Sequence, residues 1–272
     1  MTRRQWFRTE KITESIILID DRKESNIYLV KGSRKSLLID TGWGIGDLPG
    51  VVREYTDKPL IVVNTHGHPD HAGGDYQFDE IYVPAEDIST IEECFSEEKR
   101  KFAIENVVSG PMPDGFSEAD WICAKPGKLI PMDDNHVFDL GDRKIEVIFI
   151  PGHSPGSVAL LDSSDRVLFT GDSVLEGDIW LYLDKSAPLD VYLSGMRKLD
   201  SFSGSFDMIL PAHCRAPISR AIIGELIRGV EKILDGTLKS KPYRTFAGEG
   251  ILQRFESCGV IYDESKLVSP IL

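Results

Sequence analysis

The chain has 272 residues, 41% hydrophobic and 28% charged, the balance of a globular protein long enough to bury a sizeable core. Its formal net charge of −13 works against nucleic-acid binding, which draws on a positive surface, and no stretch reaches the ~20 apolar residues of a membrane span. Residues 1–10 carry charge without an apolar core of signal-peptide length, and four cysteines (Cys94, Cys123, Cys214, Cys258) show neither Cys-x-x-Cys spacing nor disulfide-scaffold density, so a reduced, cytoplasmic protein is expected.

In chain order, residues 15–19 and 26–30 predict an opening hairpin, followed by a strand at 36–39 and a first helix around 46–55. The β-branched run Leu60-Ile61-Val62-Val63 reads as a buried strand, and another starts at Asp79 and ends at Pro84. From about 85 to 127 the pattern changes: 88–108 is charged and helical in character, and 109–116 is rich in Gly and Pro. This stretch reads as an inserted cap on a single domain spanning 1–272. The cluster Lys99-Arg100-Lys101 within it reads as a solvated helix face rather than a phosphate site. A second half begins near Lys128, with strands around 129–138, 143–150, 157–162 and 166–170, a helix at 189–201, a strand at 207–211 and a helix at 217–235 ending at Gly236. Ile222, Ile223, Leu226, Ile227, Val230, Ile233 and Leu234 form its buried stripe. The tail, 243–272, reads as a finishing segment with Val260-Ile261-Tyr262 as a strand.

Five of the six histidines fall at four places that each resemble a ligand position. His66, His68 and His71 lie in Thr-His-Gly-His-Pro-Asp-His, His153 in Pro-Gly-His and His213 in Pro-Ala-His, while Asp70 and Asp172 add two carboxylates. The spacing 66, 68, 70, 71 is not that of one helix face. Pro69 pushes His68 toward extended backbone and Gly67 permits a sharp bend, so the run reads as a loop with its donors turned to one centre. Each place follows an apolar strand run, which puts the donors at strand ends, where ligands of α/β folds commonly bind. Seven donors exceed what one zinc takes and suit two ions roughly 3.5–4 Å apart that share a carboxylate and a water. His136 is left over and reads as a surface residue. Cys214, directly after His213, reads as a packed cysteine because neighbouring strand residues point to opposite faces.

The set Thr-His-Gly-His-Pro-Asp-His-Ala-Gly-Gly, Pro-Gly-His-Ser-Pro-Gly-Ser, Phe-Thr-Gly-Asp-Ser and Pro-Ala-His, with the early Leu37-Leu38-Ile39-Asp40-Thr41-Gly42, resembles the metallo-β-lactamase-fold hydrolase superfamily. The resemblance spans about residues 26–235. It implies an α/β fold, a four-layer αββα sandwich of two packed mixed sheets flanked by helices. It also implies that His66, His68 and His153 hold a first metal, that Asp70, His71 and His213 hold a second, and that Asp172 bridges them. Zinc is the default ion, and the same imidazole and carboxylate donors suit iron or manganese.

The expected activity is hydrolysis of a small thioester, ester or lactone by a hydroxide bridging two metals, with Asp70 orienting the water and handling its proton. Trp43, Trp180 and Tyr182 are candidates to line the substrate pocket. The chain departs from glyoxalase II proteins, which share the ligand set but carry a Gly-Cys-Gly-Arg-Phe-type stretch where this sequence has Val174-Leu175-Glu176-Gly177-Asp178. It departs from zinc β-lactamases, which commonly have a cysteine where Asp172 stands, and from diiron flavoproteins, which have a glutamate in place of His68. A small-molecule phosphodiesterase and a mononuclear-iron persulfide dioxygenase of the same fold stay open as alternatives. The partner is a small-molecule substrate, without nucleic acid or membrane, and the sequence specifies no oligomeric state.

Overall fold

The computed structural model describes residues 1–108, 110–238 and 240–270. Ser109, in the expected turn-rich stretch, and Ile271 and Leu272, at the end of the expected finishing segment, lie outside the described residues. The chain divides into two compact units, residues 1–133 with 138–144, and residues 134–137 with 145–272. Among the described residues no helix is long and apolar enough to cross a membrane.

The first unit is built on a seven-stranded sheet in sequential order: β1 (Arg8–Lys11), β2 (Ile16–Asp20), β3 (Asn26–Lys31), β4 (Ser36–Ile39), β5 (Leu60–Val63), β6 (Glu80–Pro84) and β7 (Lys128–Met132). The first four pair antiparallel and the last four parallel. Strands β2 to β4 are buried almost throughout, which is why their Ile, Leu and Val run without polar alternation. The unexpected strand β1 is exposed Arg-Thr-Glu-Lys, a charged edge that resists further pairing and shows no apolar period.

Among the described residues five α-helices complete this unit: α1 (Leu48–Val52), α2 (Pro69–Ala72), α3 (Ile88–Cys94), α4 (Glu97–Asn106) and α5 (Glu118–Cys123). Helix α4 starts where the Ser96 side chain accepts from Lys99 N, with Glu97 and Glu98 in its first turn. The stretch 85–127 is woven into the unit, since Ile91, Phe95, Ala103, Trp121 and Ile122 share a core with Trp6, Trp43, Leu48 and Ala72. Of the expected solvated face, Lys99 and Lys101 are exposed but Arg100 is 2% exposed. The face fails at that residue because Arg100 and Ala103 are the buried side of the helix.

The strand β8 (Val137–Asp139) falls at the boundary between the units. In the second unit, β9 (Lys144–Phe149), β10 (Val158–Asp162), β11 (Val167–Phe169), β13 (Met208–Leu210) and β14 (Ile218–Ser219) form a mixed sheet in the order β14-β13-β11-β10-β9. A separate four-stranded sheet joins β12 (Asp178–Leu181) to β17 (Gly259–Tyr262), then to β16 (Gly248–Arg254) and β15 (Lys241–Thr245). The expected tail held only the strand at β17. The β15–β16 hairpin was not predicted because most of its residues are exposed or half-buried, which leaves little apolar alternation to read. Helices α6 (Leu189–Ser201) and α7 (Ala221–Leu234) bury Leu189, Tyr192, Met196 and Leu199 and, from the predicted stripe, Ile222, Ile223, Leu226, Val230 and Ile233, with Ile227 and Leu234 partly buried.

Candidate metal centre

In the first unit β4 and β5 run parallel with Ile39 opposite Val63, so Asp40 and the chain toward His66 leave the sheet side by side. His68 is extended (φ −73°, ψ 156°), as the following proline requires. Pro69 then opens the single helical turn α2, which carries Asp70 and His71. The run is therefore a loop only as far as His68, and the preset φ of Pro69 at the first helical position explains the turn. His66 Nε2 lies 3.1 Å from His68 Nδ1, and His71 Nε2 lies 3.3 Å from Asp70 Oδ2. His66 and His71 are buried, with ring centroids 4.1 Å apart.

Asp40 holds this loop. Its backbone is left-handed (φ 65°), an uncommon state for a side chain larger than glycine. Its carboxylate accepts from Thr65 N (2.7 Å), from Thr65 Oγ1 (2.9 Å) and from His71 Nδ1 (3.0 Å). With His71 Nδ1–H turned to Asp40, its Nε2 carries the lone pair. Thr65 gives its proton to Asp40 and can accept from His66 Nδ1 at 3.1 Å, which leaves the lone pair of His66 on Nε2 as well. The carbonyl of His71 accepts from Thr41 Oγ1 and Asn64 Nδ2, both of which also donate to buried Asp75.

The second unit presents its donors by strand register. Strands β11 and β13 are parallel neighbours with Phe169 opposite Leu210, and Asp172 and His213 each follow by three residues. Strand β9 is antiparallel to β10, as is β11, so His153 emerges at the same sheet edge. Asp172 Oδ2 lies 3.4 Å from His153 Nε2, and its Oδ1 lies 3.2 Å from His213 Nε2. His153 Nδ1 donates to the Trp180 carbonyl at 2.7 Å, which aims Nε2 at Asp172. The turn carrying Asp172 is secured where Tyr192 Oη donates to Ser173 O (2.8 Å) and Ala212 N donates to Gly171 O (3.0 Å).

These donor sets fit divalent cations. Around a zinc with bonds of about 2.0–2.1 Å, tetrahedral neighbours stand about 3.3–3.4 Å apart, and the close pairs within the units measure 3.1, 3.3, 3.4 and 3.2 Å. Each pair falls within one of the two ligand groups that the resemblance implies. For His66, His71 and His153 the nitrogen facing the partner is the one left unprotonated by the outer hydrogen bond. That is the form a metal requires.

A fold of parallel and antiparallel strands with histidine and aspartate donors beyond their ends defines an α/β protein with side-chain groups that could hold a metal ion. The Metallo-beta-lactamase superfamily profile matches residues 20–213, and the chain belongs to that superfamily. It is 31% identical over 231 residues to an acyl-coenzyme A thioesterase of Gallus gallus, covering 78% of this chain and 82% of that protein. It is 25% identical over 162 residues to a hydroxyacylglutathione hydrolase of Haemophilus influenzae, covering 57% of this chain and 69% of that protein. Among solved structures, the sec-alkylsulfatase Pisa1 from Pseudomonas sp. aligns with a TM-score of 0.63 at 15% identity, over 85% of this chain and 42% of that one. The DIM-1 metallo-beta-lactamase aligns with a TM-score of 0.58 at 18% identity, over 82% and 95%. These likenesses show the metallo-β-lactamase fold, the α/β class that the motifs implied, and the related proteins are named as hydrolases.

The candidate pocket aromatics differ in placement. Trp43 is buried in the first unit's core, where Trp121 Nε1 donates to its carbonyl (3.0 Å). Tyr182 is buried and bonds Thr245 Oγ1. Trp180 is half-exposed and meets Phe246 edge-on, with centroids 5.4 Å apart. Phe246, 70% exposed at the hairpin tip, was missed with the hairpin itself. His136 is half-exposed between a turn and β8. Cys214 is exposed, not packed, because β13 ends at Leu210 and the residue takes a left-handed turn (φ 64°) where strand alternation no longer applies. In the sequence Asp40 stands out only as part of a motif, and its position after a strand and before Thr-Gly is the signal that marks it.

Proposed function

We propose that this chain is a metal-dependent hydrolase of acyl thioesters of coenzyme A. In this reading His66, His68 and His153 hold one divalent cation, Asp70, His71 and His213 hold a second, and Asp172 is shared. Zinc is the default, with iron or manganese as substitutes. One observation carries the reading: the chain, whose sequence holds the seven candidate donors, is 31% identical, over 78% of its length, to a protein named as an acyl-coenzyme A thioesterase. The cations supply a water that ionises near neutral pH and Lewis-acid polarisation of the thioester carbonyl.

The side chains do the rest. Asp70, half-exposed on the turn α2, orients the water and takes its proton. Asp40, through His71 Nδ1, and the Trp180 carbonyl, through His153 Nδ1, keep both imidazoles from rotating. Asp172, with one oxygen toward His153 and the other toward His213, suits the shared role. A thiol of pKa about 8.5 leaves as a stable anion, so one carboxylate is enough to manage the protons.

Coenzyme A is favoured over glutathione because residues 174–178 lack the glyoxalase II stretch and the likeness to the hydroxyacylglutathione hydrolase is shorter and weaker. The test is hydrolysis of a panel of substrates, read as thiol release from acyl-coenzyme A esters and S-lactoylglutathione and as acid release from lactones and phosphodiesters. The expected result is a kcat/KM at least tenfold higher for acyl-coenzyme A esters, reduced by about 100-fold or more in Asp70→Ala. Preference for the glutathione ester would overturn the substrate, and one iron per chain with oxygen uptake would overturn the class.

A further inference from the structure

The stretch 85–127 touches the ligand loop at its two most sensitive backbone points. Gly67, between His66 and His68, has both peptide groups held from α3 and its leading turn: its N–H donates to Asp87 Oδ2 (2.8 Å), and its carbonyl accepts from the Cys94 thiol (3.3 Å). Gly73, which closes the turn carrying Asp70 and His71, gives its N–H to Pro69 O and accepts Arg100 Nη2 at 2.9 Å. A side chain at Gly73 would meet Pro69 O at 2.3 Å and Trp43 O at 2.9 Å, so the backbone there has no room to shift.

Arg100 is an unusual means of filling a core. It is 2% exposed, and among the described residues no carboxylate pairs with it. Its Nη1 donates to Trp121 O (2.6 Å), its Nε has no hydrogen-bond partner, and the guanidinium carbon lies 4.1 Å from the Phe95 ring centroid and 4.4 Å from that of Trp121. Burying a charge this way is costly. A methionine would occupy similar volume without that cost, so packing alone does not call for a guanidinium. What only the guanidinium supplies is a pair of directed donors, one of which ends on Gly73.

We propose that Arg100 is a positioning residue for the ligand pair Asp70–His71, and that the 85–127 stretch sets cation affinity by clamping the loop from behind. Thr41 and Asn64 hold the turn through the His71 carbonyl, and Arg100 holds its other end. Together they fix both donors against rotation of the turn. The proposal rests on the reading that this loop binds cations and not on the identity of the substrate.

The test titrates cobalt(II) chloride into chelator-treated full-length protein, following the visible absorption band and the heat of binding. The variants are Arg100→Met, Arg100→Lys and, as a destabilised control outside the stretch, Val51→Ala, which opens the core beside α1. Arg100→Met is expected to weaken binding at the affected site about tenfold or more with an altered cobalt spectrum. Arg100→Lys, which keeps one donor, should recover part of the loss, and Val51→Ala should lower the unfolding midpoint while binding cobalt as the wild type does. Equal affinity and spectra for wild type and Arg100→Met would overturn the proposal, as would an equal affinity loss in Val51→Ala. If Arg100→Met fails to fold, Arg100→Lys decides by the same comparison of affinity and spectrum. Absence of thioester hydrolysis by the loaded wild type would sink the functional reading alone, because the positioning role is read from cobalt binding.

Discussion

Asp75 is a carboxyl group without solvent. It is fully buried, and its Oδ1 accepts from Thr41 Oγ1 and Asn64 Nδ2, the two side chains that also steady the His71 carbonyl. Burial pushes its pKa up to about 8, so it is protonated at neutral pH. An acid whose pKa is raised on folding contributes stability that is fully present below its unfolded value of about 3.9 and is lost as the pH climbs through about 8. Asp75→Asn keeps the acceptor oxygen and cannot ionise. In chelator-treated protein, wild-type stability against urea should therefore fall relative to that of Asp75→Asn between pH 5 and 8.5, by an amount of the order of a few kcal/mol. Asp21, raised to about 6 by burial, acts in the same direction in both proteins. Parallel profiles for the two would contradict the assignment.

At the scale of elements, register and close approach decide where donors meet. The one-to-one pairing of Phe169 with Leu210 brings Asp172 and His213 level, and the closeness of α3 requires glycine at position 67. A Cβ there would lie 2.9 Å from Asp87 O and 3.1 Å from Thr90 Cβ. Gly67→Ala is expected to lose roughly 1–3 kcal/mol of stability and to bind cations more weakly, whereas Gly204→Ala, with open space around it, should do neither. Calorimetry of both variants checks this, and an unchanged Gly67→Ala would contradict the clamp. Sequence reading found the buried strands because β-branched runs have few other uses, and it singled out the candidate donors because histidine is scarce. It missed the buttress because α4 is polar around most of its surface, so one inward arginine leaves no periodic trace. It missed the β15–β16 hairpin because exposed strands lack alternation, and it placed Cys214 wrongly by extending β13 past Leu210.

For the whole molecule, composition excludes more than it specifies. The charge of −13 works against a nucleic-acid partner, and superfamily membership with relatives named as hydrolases supports the hydrolase reading. The choice of an acyl-coenzyme A substrate depends on likeness to a related enzyme and on what residues 174–178 lack. The central claim is that hydrolysis depends on cations held by seven named donors. It is tested most directly by measuring thiol release from an acyl-coenzyme A ester against zinc per chain in chelator-treated protein. The predicted result is no release without metal, with activity rising to saturation at two equivalents. Full activity in the metal-free protein, or no release at two bound equivalents, would contradict it.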